Sequence, residues 1–262
     1  MQFIQRVALA TILSAGAALA QSLEYADVQT HNTAFYPHYV YTQAGNPAIG
    51  GPYSFAFYTF RFSIANATGD AAFLNGGDYI GFCVNTMFPD PSTGADATYS
   101  DTPNLLSYNI GNGDYWTTNR LMKFDAIANT LSYYADQLRS LDPDGQSYAE
   151  LVTGINMAFT EIICDYDGTL GSIDITTGNS KAELDFNGTQ ITSGVPYDTY
   201  NYIRTHLIGT GTGGGVDVYT ANAPNDNYQD VVFIPAVPEP RVVMLVGLGL
   251  GVLLARFRKR GR

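Results

Sequence analysis

Apolar and polar side chains alternate along residues 53–66: Phe60, Phe62 and Ile64 fall between Thr59, Arg61 and Ser63. A period of two marks a strand with one buried face. Residues 79–88 are apolar at both parities, which predicts a strand buried on both sides. Residues 21–52 are polar, aromatic and turn-rich, with a short strand candidate at 39–42. Gly50-Gly51-Pro52 and Asn75-Gly76-Gly77-Asp78 read as turns, and 89–103 reads as a loop.

The period then lengthens. Leu121, Phe124, Ala128, Leu131, Ala135 and Leu138 recur every three or four positions, predicting a helix over 119–140. Asp142-Pro143-Asp144-Gly145 is a tight turn. Ser147 followed by Glu150 forms a capping-box pattern that opens a second helix over 147–164, with Leu151, Ile155, Ala158 and Ile162 inside. Strand patterns return at 171–176, 181–186, 216–219 and 230–234, with a Gly/Thr loop at 209–215. The expected fold class is α+β: a β-rich ectodomain, sandwich-like or barrel-like, with two consecutive helices inserted.

Both ends of the chain differ from this middle. Residues 1–20 carry Arg6, an apolar stretch from 7 to 13, and Ala18-Leu19-Ala20 before Gln21, the pattern of a cleaved secretory signal. The ectodomain is therefore residues 21–237. At the other end stands Pro238-Glu239-Pro240. The two prolines fix φ and hold the tripeptide extended. Residues 242–255 are apolar, about 21 Å as a helix against a hydrocarbon layer of about 30 Å. A membrane helix over about 241–257, with its arginines snorkelling, is expected there. The basic residues Arg256, Arg258, Lys259, Arg260 and Arg262 close the chain and keep that end cytoplasmic.

An acidic Pro-Glu-Pro, a short membrane helix and a basic stop, in that order over 238–262, resemble the PEP-CTERM sorting signal of bacterial envelope proteins. The resemblance implies processing by an exosortase-like enzyme after a transient inner-membrane stay. It implies delivery to the cell surface or extracellular matrix, and it adds exopolysaccharide as a candidate partner.

Charge divides along the same boundary. The chain carries a net charge of −11, yet its last 25 residues are strongly basic. Arg61, Arg120, Lys123, Arg139, Lys181 and Arg204 are the only ectodomain cations. Such an acidic domain lacks the basic footprint that nucleic acid requires.

Candidate chemistry is sparse. Cys83 and Cys164 are the only cysteines, and an oxidising compartment permits a disulfide between them. Phe82-Cys83-Val84-Asn85, followed by Asn156-Met157-Ala158-Phe159-Thr160-Glu161-Ile162, resembles the thioester-type domain of bacterial adhesins. That resemblance makes Cys83 the thiol and Asn156 the amide partner, one methylene shorter than the family's Gln, so the chemistry is degenerate. Asp165 and Asp167 resemble the start of a calcium loop, but no glutamate follows at the closing position. His31, His38 and His206 stand apart from one another, outside any hydrolase or zinc motif. The expectation is a non-enzymatic surface or matrix protein without a cofactor, with a structural or interaction role. The alternatives are a degenerate thioester-like adhesin and a carbohydrate- or calcium-binding module.

Overall fold

The computed structural model describes residues 22–32, 39–41, 53–55, 58–84, 92–100, 120–178, 182–183, 192–210, 216–222 and 231–237. The predicted signal peptide and the tail from Pro238 onward, with its sorting motif, membrane helix and basic stop, lie outside the described residues. So do His38, Asn85 and Lys181. Among the described residues no helix is long and apolar enough to cross a membrane.

Six antiparallel strands close a barrel in the order β1 (Ser22–Asn32), β4 (Tyr58–Ala65), β5 (Asp78–Cys83), β9 (Val231–Pro235), β8 (Tyr219–Asn222) and β6 (Asp96–Ser100). A small second sheet joins β2 (Tyr39–Tyr41), β3 (Tyr53–Phe55) and β7 (Ala182–Glu183) in the order β3-β2-β7. Every strand of the barrel sends alternate residues inward. Tyr25, Phe60, Phe62, Ile64, Tyr79, Tyr99, Tyr219 and Phe233 fill the interior with Leu23, Ala97, Ala221 and Val231. Rings meet edge to face there, as Tyr25–Phe62 at 5.0 Å and Tyr79–Phe233 at 5.2 Å, a geometry that aligns ring edges with ring faces. A 3₁₀ turn, Gly69–Leu74, buries Ala71 and Leu74 at one end, where the Tyr79 hydroxyl donates to the Leu74 carbonyl at 3.0 Å.

The other parity of β5 and β9 builds a second core. Ile80, Phe82, Val232 and Ile234 point outward and meet α1 (Arg120–Ser140), α2 (Gln146–Asp165) and α3 (Val195–Tyr202). Phe82 packs on Phe159 of α2 with ring centroids 5.5 Å apart. So the strand expected to be buried on both faces is buried on both faces. It is shorter than predicted, ending at Cys83.

The helical part is larger than two helices. α3 starts at Val195 with Pro196 in its first turn and runs directly into a π-helical turn, Ile203–Leu207. Helix α1 follows the predicted stripe at Leu131, Ala135 and Leu138, which are buried, but departs from it elsewhere: Leu121 is 64% exposed, whereas Lys123, Ile127, Thr130 and Tyr134 are buried. Apart from the half-buried Glu150, helix α2 is buried from Tyr148 to Cys164, because barrel, α1 and α3 all cover it. It begins one residue earlier than predicted, and no side chain caps its first turn. Gly145 is the N-cap, so Ser147 lies within the first turn rather than at the cap position of the expected Ser147–Glu150 box, and Gln146 donates to Glu150 at 2.9 Å.

Three further corrections concern strands. Segment 89–103 is not all loop, since it contains β6. Segment 171–176 is not a strand: it holds the 3₁₀ turn Leu170–Ser172 and tight turns shaped by side-chain hydrogen bonds to the backbone. The longest strand, β1, lies in a segment expected to be mostly turns.

Gly154 marks the closest helix contact. A Cβ built there meets the Thr199 Cβ at 2.5 Å and the Pro196 carbonyl oxygen at 2.6 Å. Gly154→Ala is therefore expected to push α3 off α2 and to cost about 1–3 kcal/mol, as overpacking does. The check is the urea midpoint at unchanged m-value; a neutral or stabilising effect contradicts the close packing.

Candidate functional site

Strand parity decides where the two cysteines go. Cys83 shares the inward parity of Tyr79 and Gly81 and packs against the barrel-interior cluster. Cys164, in the last turn of α2, belongs to the helix-side core. Each carries a thiol, and no disulfide joins them. The disulfide alternative fails for a geometric reason: the two residues occupy different cores separated by β5 itself.

The same parity separates Cys83 from Asn156. The Asn156 side chain is buried in α2, where its Nδ2 donates to the Val152 carbonyl at 3.0 Å. That bond turns the amide back along its own helix axis. The thioester resemblance calls for an amide turned to the thiol, whereas the Asn156 amide bonds its own helix and Cys83 packs against the barrel-interior cluster.

The acidic loop after α2 is tied down for structural reasons. Asp167 accepts the Thr169 amide at 2.9 Å and the Thr169 hydroxyl at 2.8 Å. These bonds, the hydroxyl first, hold the Asp167 carboxyl below its ordinary pKa. Asp174 closes a matching turn on Thr176, which likewise lowers its carboxyl. Glu161, fully buried on α2, accepts the Asp174 amide at 3.1 Å. The Tyr200 hydroxyl of α3 donates to the Ile173 carbonyl and accepts the Ile175 amide, both at 3.3 Å. Burial, then the Glu161 charge, pushes the Tyr200 phenol well above its usual range. Asp165 and Asp167 do not meet a third ligand: among the described residues no three His, Cys, Asp or Glu side chains gather around a metal-sized space.

The histidines divide likewise. His31, at the end of β1, is buried and its Nδ1 lies 3.1 Å from Asp144 in the α1–α2 turn. Beside it the Tyr148 and Thr59 hydroxyls meet at 2.9 Å. Burial raises the Tyr148 phenol, against lowering by Thr59 and by the charge of Arg61. This polar seam fastens the helical hairpin to β1 and β4. His206 is exposed and stacks on Tyr202 at 4.5 Å.

An open cavity of about 290 Å³ lies on the outer face of β1, β4 and β5. Asp27, Gln29, Arg61, Ser63 and Asp78 supply its polar wall, and Ala236 and Val237 its apolar rim. A bulge between Ala26 and Gln29 places Asp27 at φ 50°, a left-handed conformation uncommon outside glycine, and turns its side chain toward the cavity. The Ser63 hydroxyl lies 3.4 Å from an Asp27 carboxylate oxygen. Arg61 reaches across to the Leu138 carbonyl at 3.4 Å. Two carboxylates, one guanidinium, an amide and a hydroxyl can hold a neutral hydroxyl-bearing ligand by hydrogen bonds. No sequence motif announces this cavity, because its residues come from three strands and the chain's exit. The one local signal was the outward-facing Arg61 and Ser63 of the alternating strand.

No protein-family model, no characterised protein and no solved structure matches the chain.

The cysteine geometry gives a direct expectation. Purified residues 21–237, once unfolded, should titrate two thiols, and their intact mass should equal that of the unmodified segment. A mass lighter by two hydrogens means a disulfide, and one lighter by ammonia means a thioester; either result contradicts the placement of Cys83.

Proposed function

We propose that this is an exported bacterial protein sorted by a PEP-CTERM/exosortase-like system to the cell surface or extracellular matrix, with a structural or interaction role and no catalysis. Secretion follows residues 1–20, and a membrane helix at about 241–257 holds the chain until an exosortase-like enzyme acts near Pro238-Glu239-Pro240. The observation that carries this reading is the fit of the fold between the two targeting segments. The first barrel strand starts at Ser22, directly after the proposed cut. The last ends at Pro235, just before the motif.

Both junctions also leave the same end of the barrel. The Ser22 carbonyl accepts the Thr68 amide beyond the end of β4, and the Asp78 carbonyl at the start of β5 accepts the Ala236 amide. A folded domain can therefore remain attached at one end while a processing enzyme works on the segment beside it. The barrel interior is packed with side chains rather than shaped as a substrate chamber, in keeping with a scaffold.

The test is made in the native host. Pro238→Ala with Glu239→Ala should leave the tail attached and the protein in the membrane fraction, while the parent protein is shortened and released. Unchanged size and fractionation in the double variant defeat the sorting reading.

A second reading, a carbohydrate-binding module, draws on the cavity. Arg61 beside Asp27 and Asp78 suits hydroxyl groups better than a calcium ion, which a neighbouring guanidinium repels. Here the parent protein is expected to be retarded in gels containing the host's exopolysaccharide, and Asp78→Asn with Gln29→Ala to run unretarded. Equal mobility of the two proteins removes this reading.

A further inference from the structure

The barrel end where the chain enters and leaves also exposes an aromatic ring. Phe73, in the 3₁₀ turn Gly69–Leu74, is 61% exposed. It does not hang loose: its ring stands edge-on to Tyr99 at 6.1 Å and to Tyr219 at 5.7 Å, and both of those are buried. The two tyrosines hold Phe73 outward. Val237, where the chain leaves this same end, is 64% exposed.

We propose that this end of the barrel is a membrane-contact face, in which Phe73 enters the interfacial layer of a lipid surface and orients the domain with its α1–α2 turn outward. The proposal rests on the reading of residues 241–257 as a membrane helix. Only four residues lie between Val237 and the apolar run that begins at Val242. Fully extended, the steps from Val237 to Val242 span at most about 18 Å. The barrel end is thereby confined within a short distance of the bilayer whenever the tail is inserted. One exposed phenylalanine binds lipid weakly, but a tether this short makes the contact intramolecular and raises its effective concentration. Aromatic side chains favour the headgroup level of a bilayer.

The charges around the ring select the kind of surface. Asp70 lies one 3₁₀ turn before Phe73, and Glu24 and Asp78 stand at this same end, near the starts of β1 and β5. Three carboxylates are repelled by anionic headgroups, so the face fits a zwitterionic lipid surface and a shallow contact. The α1–α2 turn sits at the other end, where Asp144 meets His31 and Tyr148 meets Thr59. Those partners lie at the end of β1 and the start of β4.

Tryptophan fluorescence in membranes tests the orientation. Trp116 is the only tryptophan, so Trp116→Phe gives a dark background. Into it go Phe73→Trp, Val237→Trp or Gln146→Trp, the last on the exposed start of α2. Full-length protein is reconstituted into phosphatidylcholine vesicles with brominated acyl chains, and flotation reports whether it is anchored. Expected is strong loss of emission for Phe73→Trp and Val237→Trp and none for Gln146→Trp. If Phe73→Trp does not fold, Val237→Trp reads the same face. Anchored protein with equal quenching at both ends, or with none at Phe73 and Val237, overturns the membrane-contact face and leaves the anchor standing. Protein that does not float with the vesicles overturns both.

Discussion

Burial of β5 and β9 on both faces is the constraint on which the rest of the molecule depends. Their inward residues, Tyr79, Val231 and Phe233, complete an aromatic barrel core. Their outward residues, Ile80, Phe82, Val232 and Ile234, form the floor on which the helices pack. Neither core is complete without this shared pair, so barrel and helices are coupled rather than appended. A one-residue slip of register between β5 and β9 exchanges the two sets and spoils both cores together. The cysteines follow from that parity. Cys83 lies on the inward set and Cys164 against the outward one, each as a thiol.

The helical layer has its own internal cost, met by specific bonds. Helix α2 is covered all round, so its polar residues must be satisfied inside. Glu161 does this by accepting the Asp174 amide. Lys123, only 3% exposed, donates to the Ile163 carbonyl at 2.7 Å in the last turn of α2, where the helix dipole favours a cation. Tyr200 reaches from α3 to bond both sides of Ile173–Ile175. Three helices and the acidic loop are thereby held by side chains whose polarity, read along the sequence, looks like solvent exposure.

That explains what the sequence could and could not disclose. Strong periodicity located β4, β5, β9, α1 and α2, because each meets a core along most of its length. The expected stripe of α1 fails at Leu121, which is exposed, and Lys123 beside it is buried with its ammonium donating to the Ile163 carbonyl, so an exposed leucine and a buried lysine invert the usual rule. Strand β1 was hidden because its bulge at Asp27 breaks the alternation halfway along. Strand β6 is five residues long inside a turn-rich stretch, and α3 is eight residues with little apolar contrast. Segment 171–176 looked like a strand because Ile173 and Ile175 alternate, yet those two side chains are buried from a turn that Asp174 shapes. Of the candidate site, Arg61 and Ser63 were visible as outward positions. Their meeting with Asp27, Asp78 and Val237 depends on closure of the barrel.

Closure also fixes where the ends go. Around the ring the strands alternate in direction, and β9 stands three antiparallel pairings from β1, so a chain that enters on β1 at one end leaves β9 at that same end. The helical excursion obeys the same rule. It departs from the end of β6 and returns at the start of β8, which are paired through Ser100 and Thr220. The opposite end therefore receives the turn between α1 and α2, tied there by Asp144 and Tyr148, but no terminus. An anchored domain of this topology has a proximal and a distal end before any partner is considered. The polar cavity belongs to the proximal side, since Ala236 and Val237 form its rim. The wall between Asp27 and Asp78 thus sits beside the segment by which the chain leaves the barrel after Pro235.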